Sequence, residues 1–151
     1  MKKNTYLLSL LAIVLIATVF AFTVKQSEPW TPEQLLQPED LAAVINDPAV
    51  AKPLIICVGP SGVIKGSVEV GPANDPENLD KLKKLVAKED RKRDIVIYCG
   101  CCPFIKCPNI RPAFTLLTSM KFTNLKLLNL PHNIKVDWIE HGYPKNDTKQ
   151  L

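Results

Sequence analysis

The chain has no dense basic stripe with interleaved aromatics, which excludes nucleic acid as a partner. Its net charge is only +4, and Lys2 and Lys3 supply two of those charges. The run Lys88 to Arg93 (KEDRKR) mixes both signs and reads as a solvated loop. The sequence shows no internal repeat and no low-complexity tract, so its 151 residues read as one domain plus an appendage. Cysteine is missing outside the interval Cys57 to Cys107, and the total of five is odd. A disulfide framework spreads its cysteines over a small fold, so that class is excluded. No cysteine follows the apolar N-terminal segment, which excludes a bacterial lipoprotein anchor. Histidine occurs only twice, at His132 and His141, with no cysteine near in sequence. Both read as structural or solvent-exposed.

What is present begins with a targeting segment. Lys2 and Lys3 precede a stretch from Asn4 to Val24 that carries no charge, and Leu7 to Phe22 is almost wholly apolar. Signal peptides have apolar regions of about 7–15 residues, and a spanning helix needs about 20. The segment lies between the two, so residues 1–25 read as a signal peptide or an N-terminal membrane anchor. The positive flank in front predicts export of the remainder, soluble in the periplasm or another extracytoplasmic space or held at the membrane. Residues 26–37 read as a linker, 38–145 as the folded domain and 146–151 as a polar tail.

With 46% hydrophobic residues the chain can bury a core. Thr31-Pro32-Glu33 looks like a helix start. Pro38 interrupts it, and a helix resumes over Glu39 to Asn46. Leu54 to Val58 and Asp94 to Tyr98 are apolar runs of strand length, as expected of strands buried on both faces. Val68 to Val70 is a short strand candidate, and Leu125 to Leu130 another. Asp75-Pro76 starts a helix with a stripe of Leu79, Leu82, Leu85 and Val86. Further helices are predicted over Pro112 to Met120 and over His132 to His141, the latter carrying Trp138 as a core residue. Strands that alternate with helices imply a parallel sheet covered on both faces.

The chain is organised around Asp94 to Pro112 (DIVIYCGCCPFIKCPNIRP). Cys99, Cys101, Cys102 and Cys107 fall within nine positions, just past a buried strand. Open α/β sheets place their chemistry outside the carboxyl ends of the strands. Cys57 ends another buried strand. It reads as a small core hydrophobe or as a thiol close to the same loop. Asn109 reads as a helix cap.

These parts, in this order, resemble the rhodanese-like domain. Leu54-Ile55-Ile56-Cys57-Val58-Gly59 stands where that family has a strand ending in Asp-x-Arg, and Gly62-Val63-Ile64-Lys65-Gly66-Ser67 where it has Gly-His-Ile-Pro-Gly-Ala. Asp94 to Cys99 resembles the strand that delivers the family's cysteine. Trp138 followed by Gly142-Tyr143-Pro144 is similar to the family's ending. The likeness covers roughly Pro38 to Pro144. It implies an α/β, three-layer fold with a central parallel sheet and helices on both faces, here preceded by an N-terminal apolar helix. The departures are concentrated at the site. Eleven residues separate Cys99 from Arg111, where the family has a short loop. Cys57, Gly59 and Val63 replace the family's Asp, Arg and His. The loop resembles that of a divergent subgroup with a Cys-Gly-Cys-Cys-Pro…Cys-Pro-Asn-x-Arg-Pro pattern.

Three chemistries fit. In sulfane-sulfur transfer, Cys99 is the persulfide-forming nucleophile, Arg111 holds an anion and Lys106 adds charge; a small sulfur donor or a thiol protein is the partner, and no cofactor is required. In thiol redox chemistry, Cys101, Cys102, Cys107 or Cys57 resolves a modified Cys99. Pairing of Cys99 or Cys102 with Cys107 is easier there than a strained Cys101–Cys102 disulfide. In the third reading the protein is a binding protein, with Cys99, Cys101, Cys102 and Cys107 as ligands for Zn, Cu or an Fe–S cluster, although C-x-C-C-x₄-C is not a pair of C-x₂-C knuckles. A rhodanese-type fold that only binds a partner is a further alternative, because fold does not fix function.

Overall fold

The computed structural model describes residues 28–60 and 62–146. The targeting segment and apolar helix expected over residues 1–25 lie outside them, as do residues 147–151 of the expected tail. No helix among the described residues is long and apolar enough to cross a membrane.

Strands β1 (Leu35–Leu36), β2 (Leu54–Cys57), β3 (Val68–Glu69), β4 (Ile95–Tyr98) and β5 (Leu125–Leu128) form one five-stranded sheet in the order β1-β5-β4-β2-β3. Every neighbouring pair is parallel. The helices are α1 (Pro38–Asn46), α2 (Pro76–Val86) and α3 (Ile110–Ser119). All four residues of β4 are buried, as a strand between β2 and β5 and under helices on both faces requires. Its side chains alternate. Ile95 and Ile97 join the core under α2 and α3, with Leu82, Val86, Ala113, Phe114 and Leu117. Val96 and Tyr98 join the opposite core, with Leu41 of α1 and the fully buried Trp138. Trp138 is the core residue the sequence predicts, and its Nε1 donates to the Pro144 carbonyl at 2.9 Å.

Several local expectations are corrected. The helix expected to start at Thr31 is one 3₁₀ turn, Pro32–Gln34, followed by β1. Pro38 disfavours helix for the residue before it, leaving no room for more. Residues 28–37 are therefore not a free linker: Trp30 is buried and β1 pairs with β5 at Leu127 and Leu128. Helix α3 begins at Ile110, two residues before Pro112. A proline costs little in a first turn, where the N–H has no partner inside the helix. The helix expected over His132 to His141 shrinks to a π-helical turn, Lys135–Ile139. Polar side chains capture its leading N–H groups instead. Asp137 accepts from the backbone of His132 and Asn133, and Asn133 accepts from that of Lys135 and Val136. The start of the tail is also tied down: Asn146 N–H donates to the Val63 carbonyl at 2.8 Å.

Candidate active site

The pleat that sends Ile97 toward α3 sends Cys99 the same way, one residue past the end of β4. Cys99 is 3% exposed and packs in the core beneath α2 and α3. Gly100 then takes a φ of +84°, a conformation costly to other residues. A Cβ there would also lie 2.9 Å from Ile134. This turn folds the chain back so that the Cys101 N–H points at the Cys99 sulfur. Cys101 Sγ comes to 3.3 Å from Cys99 Sγ. The loop crosses the surface through a 3₁₀ turn, Phe104–Lys106, and returns at the fully buried Cys107. The Sγ atoms of Cys99, Cys101 and Cys107 lie within 4.8 Å of one another. Cys102 is partly exposed and borders the group, its sulfur 3.5 Å from that of Cys101. None of the five cysteines is in a disulfide.

Hydrogen-bond donors converge on these sulfurs. Asn109 is not the side-chain cap expected, because its amide is used elsewhere. Its Nδ2 donates to Cys99 Sγ at 3.3 Å, and its Oδ1 accepts from the Asn74 N–H at 3.1 Å. The N–H groups of Asn109 and Ile110, at the start of α3, are directed at Cys107. The Cys107 thiol does most to pull Cys99 below the usual thiol range, to about 5, against the effect of burial. Asn109, the Cys101 N–H and the Cys101 thiol add to the lowering. The partners move the other way. Cys107 is pushed up, chiefly because its proton is engaged by Cys99 and then by burial. Cys101 is pushed up to about 12 by burial and by the neighbouring sulfurs. The cluster therefore favours one thiolate, at Cys99, with protonated thiols beside it.

Asn109→Ala is expected to raise the pH midpoint of Cys99 alkylation by about one to two units, because a hydrogen bond to a charged group contributes roughly 1.5–3 kcal/mol. Maleimide or iodoacetamide kinetics against pH, read by peptide mass mapping, would check this. An unchanged midpoint would remove Asn109 from the site.

The other predicted site residues are placed differently. Cys57 pairs in register with Tyr98 and belongs to the α1 and Trp138 face, so the sheet separates its side chain from the loop sulfurs. Its thiol bonds the Tyr98 hydroxyl, and burial raises it to about 11. Arg111 sits in the first turn of α3. It donates to Glu28 Oε1 and to the Ile105 carbonyl, both at 2.7 Å, and its guanidinium lies 5.4 Å from the Trp30 ring centre. These contacts pin the loop to residues 28–30, and the donor at Cys99 is Asn109. Lys106 is exposed. His132 bonds the buried Asp137 at 2.8 Å, and His141 stacks on Tyr143, which matches their structural reading. Gly59, noted in the sequence only as a replacement of a family residue, touches the site. A Cβ on it would lie 2.3 Å from the Cys99 carbonyl oxygen and 2.7 Å from its sulfur. A cavity of about 430 Å³ lies at the opposite end of the strands, around Pro53, Asp94 and Leu125, and no thiol lines it.

Among solved structures, the chain is similar to the solution NMR structure of the rhodanese-like domain of an Anabaena sp. protein. The TM-score is 0.52 with 18% identity, over 78% of this chain and 83% of that one. The fold is rhodanese-like. No protein-family model and no curated protein matches the chain. At this identity the likeness concerns architecture alone. Within that rhodanese-like architecture, the end of β4 carries a cysteine-rich loop, as expected.

Proposed function

We propose that this rhodanese-like domain performs sulfane-sulfur transfer coupled to thiol redox chemistry, with Cys99 as the nucleophile. The observation that carries the reading is the convergence of Cys107, Asn109 and the Cys101 N–H on one buried sulfur at a strand's carboxyl end. A thiolate so held attacks the sulfane atom of a small donor. A sulfur–sulfur bond forms on Cys99, and the donor's leaving group departs with the bonding electron pair. Cys101 is the resolving thiol, because it is exposed and its sulfur is 3.3 Å away. Its attack on the inner sulfur makes a Cys99–Cys101 disulfide and releases hydrosulfide. Two thiols are oxidised and one sulfane sulfur is reduced. A dithiol protein then restores the pair by exchange. No cofactor takes part.

The test uses the reduced full-length chain, treated with polysulfide and analysed by denaturing mass spectrometry. A reductant-labile gain of one sulfur atom on Cys99 is expected, followed by loss of hydrogen sulfide as the disulfide forms, which leaves the chain two hydrogens lighter than the reduced parent. In Cys101→Ser the persulfide should persist and no disulfide should follow. Sulfur loading distributed over all five cysteines would overturn the reading.

We also propose that Lys2, Lys3 and the apolar segment export the domain and that the segment tethers it to the membrane. Protease treatment of intact cells and of spheroplasts should degrade the domain only when the outer compartment is opened. Protection in both would reject export.

A further inference from the structure

We infer that Cys99, Cys101 and Cys107 form a three-thiolate site for copper(I). This inference does not rest on the sulfur-transfer reading. Three sulfur atoms lie within 4.8 Å of one another, and no histidine or carboxylate among the described residues joins them. Cys102 is not in the group, despite its place in the sequence. The ligand set is thus three soft sulfurs and nothing else.

That set discriminates among metals. Structural zinc takes four protein ligands in a tetrahedron, zinc held by three keeps a water in the fourth position, and iron–sulfur clusters take four cysteines. Copper(I) is soft, selects thiolates and is satisfied by three of them. The surroundings supply what an anionic sulfur set needs. Cys99 has the Asn109 amide and the Cys101 N–H, and Cys107 has the N–H groups of Asn109 and Ile110. Such donors orient metal ligands and tune the centre. Two of the three sulfurs are buried: Cys99, just past β4, and Cys107, which caps the 3₁₀ turn three residues before α3, both pack in the core beneath α2 and α3. The third, Cys101, is exposed, which offers an entry path for the ion. Copper(I) binding displaces thiol protons and involves no change of oxidation state. A Cys99–Cys101 disulfide would remove two ligands, so copper and oxidised loop exclude each other.

The experiment titrates the reduced, anaerobic full-length chain with copper(I) in competition with a chromophoric copper(I) chelator. One copper(I) per chain is expected, with three sulfur neighbours by X-ray absorption. Removing a hydrogen-bonded partner of a metal ligand loses about 10–100-fold in affinity. Cys101→Ser removes a ligand outright and should lose more than about 100-fold. Cys101 is exposed, so this variant should keep the unfolding transition of the parent chain. Cys102→Ser and Cys57→Ser should bind as the parent does. Wild-type affinity in Cys101→Ser would overturn the site. So would loss of binding in Cys102→Ser, a two-sulfur coordination shell, or capture of zinc in preference to copper(I).

Discussion

Cys99→Ser is expected to abolish sulfur loading altogether, and the wild-type residue to show an alkylation midpoint near pH 5. The two results have one cause. The Cys107 thiol, Asn109 and Cys101 hold charge on Cys99, lowering its pKa from 9.0 to about 5. The sign follows directly. Above pH 5 the residue is mostly thiolate, and its reactivity falls away as acid protonates it. An ordinary thiol, with a pKa of about 8.5, is mostly protonated at pH 7. Intrinsic nucleophilicity also falls with pKa, with a slope of about 0.4–0.5, so a pKa about 3.5 units below that thiol reduces the plateau rate about 25- to 60-fold. For equal access, Cys99 should therefore outrun an ordinary thiol near pH 6 and lag behind it at pH 9. Restricted access of the reagent scales the whole curve without moving its midpoint, which makes the midpoint the quantity to read. The measurement is iodoacetamide kinetics on reduced, metal-free protein, with peptide mapping. A serine in place of Cys99 cannot do the same work, because a hydroxyl is not ionised in this range. A midpoint above pH 8, or undiminished loading in Cys99→Ser, would move the chemistry to another sulfur.

Gly59→Ala should damage both fold and site. The added methyl would sit 2.3 Å from a backbone carbonyl oxygen and 2.7 Å from the Cys99 sulfur. The carbonyl cannot swing away like a side-chain tip, so β4 or the turn after β2 must shift. Overpacking of this kind costs about 1–3 kcal/mol. It also pushes Cys99 from its donors, so the alkylation midpoint should rise. Gly62→Ala in the same turn is the control. Its Cβ would meet the flexible Glu69 side chain at 3.3 Å, and a small effect is expected. Urea unfolding of both variants, together with the alkylation profile, gives the comparison. Equal stability in the two would mean that Gly59 is not a contact of the site.

Much of the architecture was legible along the chain. Ile95 to Tyr98 and Leu54 to Cys57 are continuous apolar runs of strand length, as strands covered on both faces have, and all of their residues but the half-buried Leu54 are buried. Asp75 and Pro76 announce α2, and Asp75 does accept from the Glu77 N–H at 2.9 Å. The short β1 was hidden, because a pair of leucines before a proline carries no period to read. The crowding of four cysteines past a buried strand drew attention to the loop, and the resemblance of that strand to the rhodanese-like family's drew it to Cys99.

Which sulfurs meet was decided only in three dimensions. The two-residue period of β2 and β4 turns Cys57 and Cys99 to opposite faces of one sheet. That separation depends on the register of Cys57 with Tyr98, which no local pattern specifies. The positive φ of Gly100 brings Cys101 back onto Cys99, while Cys102, one residue later, stays outside the group. Asn109 and Arg111 are two positions apart at the start of one helix, yet one turns inward to the thiol and the other outward to Glu28. Four of the five strands, the three α-helices and the cysteine just past β4 were readable from the residues alone, because burial writes a pattern into them. The chemistry of the loop was not, because an irregular chain leaves no period and its contacts come from elements far apart in sequence.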